Sequence, residues 1–79
     1  MEKELKERIR EKLAQNTIFS KQTQVMRIEQ IRKLLVDLSM TDLISTEEML
    51  AIWDMVIKHM QEQGLMEEYF IKYCDDENE

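Results

Sequence analysis

Proline is absent from the 79 residues and glycine occurs once, at position 64. These residues punctuate most turns and strand ends, so their scarcity argues against a hairpin-rich sheet protein. The β-branched residues are scattered and never fall in alternating runs, which leaves no strand candidate. A lone cysteine, Cys74, excludes an internal disulfide, and with the single histidine, His59, it cannot complete a four-ligand zinc site. There is no glycine-rich loop to cradle phosphate, and no apolar run approaches the roughly 18 residues of a membrane-spanning helix. The N-terminus is charged in every turn and lacks a signal-peptide core, so a soluble, cytoplasmic protein with a reduced thiol is expected. No cofactor, metal, membrane anchorage or small-molecule substrate is expected either.

What remains reads as helix. The strongest stretch is Ser45–Leu65. Ser45 and Glu48 have the spacing of a capping box, and Ile44 with Met49 that of a hydrophobic staple. Gly64 can adopt a left-handed conformation cheaply, and Leu65 can then touch Met60 as in a Schellman stop. These signals predict a helix over 46–62, about 25 Å long. Nine of the twelve residues in Met49–Met60 are apolar, leaving Asp54, Lys58, Gln61 and Glu62 for water. Such a helix must be covered on several sides.

Three further helices are expected. Residues 2–14 carry Leu5, Ile9 and Leu13 on one narrow stripe, an arm that needs a surface in its own chain or another. Asn16 and Thr17 interrupt it, and Ser20 can cap the next helix, 21–38. There Ile28, Ile31, Leu35 and Leu38, widened by Val25 and Leu34, predict the buried side, with Arg27, Glu29, Arg32 and Lys33 facing out. In the connector 39–44, Met40, Leu43 and Ile44 look buried, and its shortness predicts antiparallel neighbours. A fourth helix, 66–74, has Met66, Tyr69, Phe70 and Tyr73 at helical spacing. Residues 75–79 form an acidic run expected to be disordered. The predicted fold is therefore all-α, a single domain over 1–74 of three to four helices, the third sandwiched by the second and fourth. A chain this small is marginal alone, so completion by dimerisation is expected.

Net charge is −6, but residues 1–33 carry +4 and residues 34–79 carry −10. The basic front raises nucleic-acid binding through Lys3, Lys6, Arg8, Arg10, Lys12, Lys21, Arg27, Arg32 and Lys33. On ideal helices these do not share a face, and glutamates lie among them. His59 has no assignable orienting carboxylate or nucleophile and reads as a surface residue favouring the negative end of its helix. Cys74 stands beside Asp75 and Asp76, which disfavour a thiolate. No catalytic constellation emerges.

Methionine is abundant, with Met49, Met55, Met60 and Met66 in one short span. Thioethers fill small cores, and they also adapt to partner surfaces. Met55 lies away from the Met49–Trp53–Met60 side, so something must cover Met55, Leu50 or Ala51: either the fourth helix or another chain. Trp53 reads as a core anchor or, if exposed, as an interface hot spot. Tyr69 and Tyr73 carry polar tips suited to a rim.

The function expected from these features is non-catalytic: a small acidic helical protein, a homodimer, that binds another protein as a regulator or inhibitor. Its size suits a phage or mobile-element product, and its acidic half suits mimicry of nucleic-acid charge. The candidate interface is Leu5, Ile9, Leu13, Leu50, Trp53, Met55, Tyr69, Phe70 and Tyr73. The alternative is a dimeric nucleic-acid-binding regulator using the basic half.

Overall fold

The computed structural model describes the backbone of residues 2–74 and the side chains of 4–74. The acidic run 75–79 lies outside the described residues. Four helices follow in order: α1 (Glu2–Asn16), α2 (Lys21–Met40), α3 (Thr46–Gln63) and α4 (Met66–Tyr73). The described residues contain no strand, and no helix among them is long and apolar enough to cross a membrane.

Local chemistry sets most boundaries. The Ser20 side chain accepts from the Thr23 amide at 3.3 Å and starts α2. Ser45 and Glu48 close the expected box, with the Ser45 amide donating to Glu48 Oε1 at 2.8 Å and the Glu48 amide to Ser45 Oγ at 3.0 Å. Gly64 adopts φ +68°. The amide of Leu65 donates to Met60 O at 2.8 Å and that of Gly64 to Gln61 O at 3.3 Å, the two bonds of a Schellman stop.

α2 ends by the same device at a residue that gave no such signal. It runs two residues beyond the predicted 38, and Asp42 takes φ +64° while the Leu43 amide donates to Leu38 O at 2.9 Å. An aspartate here stands where glycine would be unstrained. The chain then turns sharply enough to leave Met40 and Leu43 in water; of the three connector residues expected inside, Ile44 alone is buried.

α2 and α3 form an antiparallel hairpin. Leu35 and Val36 share a groove with Met49 and Leu50 near one end, and Lys21 Nζ lies beside Gly64 at the other. α4 packs on both, and so does α1. The predicted sandwich of α3 between α2 and α4 is therefore incomplete, because α1 covers a third side. The arm lies on its own chain: Ile9 and Leu13 join Val25, Ile28, Leu35, Ile52, Val56, Met60 and Leu65 in one core. Each such side chain contributes about 1.5–3 kcal/mol on burial.

The tip between α1 and α2 is clamped by side-chain amides. Asn16, 2% exposed, donates from Nδ2 to Gln24 O at 3.1 Å, and Gln24 donates from Nε2 to Phe19 O at 2.8 Å. Asn16, read from sequence only as a helix breaker, is the residue that ties α1 to α2.

Candidate protein-docking groove

Two recesses meet on the side of the hairpin that carries α4. One, about 400 Å³, is lined by Trp53, Ile57, Met60, Met66, Tyr69, Phe70, Tyr73, Cys74 and Arg32. The other, about 180 Å³, is lined by Leu35, Val36, Met49, Leu50, Trp53 and again Arg32. Because Trp53 and Arg32 belong to both, the recesses form one groove across α2, α3 and α4. Leu50 and Phe70, both about half exposed, stand on its walls.

Below the groove lies a three-residue polar network. Glu29 is 7% exposed, although its helix position had suggested the outer face. Its Oε2 accepts from Arg32 Nη2 at 2.6 Å and its Oε1 from Arg32 Nε at 2.9 Å, a bidentate pair. The Tyr69 hydroxyl donates to Oε1 at 2.7 Å. These donors hold the Glu29 carboxyl below the ordinary carboxylate range, with the Arg32 hydrogen bond the largest cause and burial opposing it. Burial, then the bond to Glu29, pushes the Tyr69 hydroxyl above its ordinary value. Tyr69 also stands 5.2 Å from the Tyr73 ring and 6.1 Å from those of Trp53 and Phe70, centroid to centroid. The network thus fixes Arg32 and an aromatic cluster as a preformed surface of the residue types that dominate binding hot spots.

The predicted interface residues separate accordingly. Trp53 and Tyr73 are half-buried groove walls, and Leu50 and Phe70 are exposed beside them. Tyr69 is not a rim residue; it is buried, its polar tip used by Glu29. Ile9 and Leu13 are buried in the chain's own core and Leu5 packs against it, so this stripe is not a free docking face. Met55 is half-buried and lines the open recess between α3 and α1, so α1, not α4, is the element beside it. Leu50 and Ala51 remain exposed. Arg32, Val36 and Ile57 belong to the groove and were not among the predicted interface residues. The Glu29–Arg32 spacing of three could have signalled an ion pair, but nothing local indicates that Tyr69 meets it.

His59 occupies a different recess, about 710 Å³, between α1 and α3 with Lys6, Arg10, Met55, Lys58 and Glu62 on its walls. It is half-buried, not on the open surface, and burial lowers its pKa below the ordinary histidine value while Glu62 opposes the shift. Asp54 pairs with Lys58 at 3.4 Å there. Among the described residues no group of histidine, cysteine and carboxylate side chains has the arrangement of a metal site.

The fold also disperses the basic front. Lys6 and Arg10 border the His59 recess, Lys12 and Arg27 share a shallow groove between α1 and α2, and Arg32 is bound to Glu29. No family model matches the chain, and no curated protein or solved structure is similar to it.

Proposed function

We propose that the protein is a non-catalytic binding module that regulates or inhibits another protein, and that the Trp53–Arg32 groove receives an amphipathic helical segment of that partner. The observation that carries this reading is the continuity of the two recesses through Trp53 and Arg32, between exposed Leu50 and Phe70. Apolar grooves between helices accept the apolar face of a partner helix, with anchors spaced by three or four residues. Charge selects the class of helix. The half of the chain that contributes α3 and α4 carries −10, and Glu47 and Glu67 on those helices are exposed, so a helix with basic flanks is favoured. Nucleic-acid binding finds less support, because Lys12, Lys21 and Arg27 gather at one end of the fold while Lys6, Arg10 and Arg32 lie elsewhere, where phosphate tracking needs a continuous stripe.

Trp53 itself reports occupancy. Titrating the protein with a synthetic amphipathic basic helix should shift the tryptophan emission to the blue and saturate. A peptide of the same composition, scrambled to destroy its apolar face, should do neither. Leu50→Asp and Phe70→Asp should abolish the response with the fold intact by circular dichroism. No saturable change with the amphipathic peptide, or unchanged binding by both variants, would reject the groove.

A further inference from the structure

The two ends of α2 lie about 30 Å apart and are finished in opposite ways. At the N-terminal end Ile18 (81% exposed), Phe19 and Met26 reach water among the exposed cations Lys12, Lys21 and Arg27. The Arg27 guanidinium lies 4.9 Å over the Phe19 ring, holding an apolar and a cationic group together. At the C-terminal end Met40 (77% exposed), Leu43 (61% exposed) and Leu50 reach water among exposed Asp37, Asp42 and Glu47.

Local stability does not explain this pattern. Glu47 and Glu48 suit the positive end of α3, but α2 has no acid in its first turn and no base in its last. Lys21 therefore sits at the positive end of the α2 macrodipole and Asp37 at its negative end, both against the favourable arrangement. Lys21 is partly offset by the end of α3 beside Gly64. Asp37 gains no such relief, since the ion pairs among the described residues are Glu29–Arg32 and Asp54–Lys58. The helix carries an exaggerated polarity with exposed apolar side chains at each pole.

We propose that these ends recognise each other, so that the protein self-associates head to tail, the basic end of one copy on the acidic end of the next. A two-fold contact through either end would set three cations against three cations, or three carboxylates against three. Only the unlike pairing brings apolar side chains together with opposite charge. Such a contact is heterologous and extends into chains or closed rings, unlike a symmetric dimer. The acidic end shares Leu50 with the edge of the Trp53–Arg32 groove but includes none of Trp53, Arg32, Phe70 or Tyr73, and the contact does not depend on what that groove binds.

Sedimentation of the intact protein over a rising concentration series is the test. The weight-average mass should increase at low salt and fall back towards the monomer at high salt, where exposed charges are screened. Ile18→Glu damages the basic end alone and Leu43→Lys the acidic end alone; both positions are exposed, and circular dichroism verifies that each variant folds. Each should remain monomeric by itself. An equimolar mixture retains one intact end on each partner and should double in mass, stopping at a dimer. Phe70→Asp, which alters the groove, should associate as the wild type does. A wild type monomeric at millimolar concentration, a mixture that stays monomeric, or single variants that associate normally would each overturn the proposal. So would a monomer whose basic end instead retards duplex DNA at low salt.

Discussion

The hydroxyl of Tyr69 donates to Glu29 Oε1 at 2.7 Å, joining α4 to α2 across forty residues of chain. Because the acceptor is ionised and buried, this bond is worth more than an average one, about 1.5–3 kcal/mol. Tyr69→Phe keeps the ring and removes the donor. It should lower stability by about that amount in urea unfolding, and a melting shift of roughly 4–8 °C per kcal/mol is expected for a domain of this size. A variant as stable as the wild type would show that the bond adds nothing to α4 docking.

The same carboxylate makes the fold sensitive to acid. Arg32, as the leading cause, holds the Glu29 carboxyl below its ordinary value of 4.5 in the folded chain. The folded state then takes up this proton less readily than the unfolded state, so the stabilisation is present above about pH 4.5 and is lost as pH falls through the folded value. Glu29→Gln should be less stable than the wild type at pH 7, and the gap should narrow towards pH 3. Urea midpoints measured at several pH values decide it; a gap independent of pH would contradict the pairing.

Two left-handed turn residues should respond in opposite directions to substitution. Asp42 has φ +64°, so Asp42→Gly relieves strain and should stabilise by about 0.5–1 kcal/mol. Gly64 has φ +68°, and a Cβ there would meet Lys21 Nζ at 3.9 Å, an ordinary contact that forces nothing to move. Gly64→Ala should therefore cost about 1 kcal/mol through backbone conformation alone. Thermal melts that move both variants in the same direction would reject this reading.

Burial of α1 in the chain's own core gives a further expectation. Leu13→Ala should cost about 2–5 kcal/mol, because Leu13 is 2% exposed, and the loss should not change with protein concentration. Asn16→Ala should cost about 1–3 kcal/mol and speed hydrogen exchange in α1 first, since it removes the donor to Gln24 O. A Leu13→Ala loss that grows on dilution would return the stripe to an intermolecular role.

Much of this molecule was legible one segment at a time. The α3 boundaries, the Ser20 cap and the α1 stripe rest on interactions between near neighbours and appear as the local pattern implies; in α2, Val25, Ile28 and Leu35 are buried as expected, but Leu34 is 46% exposed and Glu29 is buried. The end of α2 is an exception even at short range. Asp42 performs a task for which glycine is the usual signal, so the two extra residues of that helix left no mark.

What the chain by itself determined was an all-α bundle of three to four helices and most of the faces they bury, because caps and apolar periodicity are properties of neighbouring residues. Tertiary structure decided which face met which. Glu29 looked solvent-facing from its helix position and became buried because Tyr69, on another helix, supplied a donor and α4 supplied the cover. Met55 looked in need of cover by the fourth helix or another chain and instead lines a recess beside α1, because the short turn at 17–20 folds that arm back onto the hairpin. The groove around Trp53 and Arg32 joins three helices, so no single segment could announce it; it exists only because packing sets Val36 and Leu50 on one side of that pair and Tyr73 on the other.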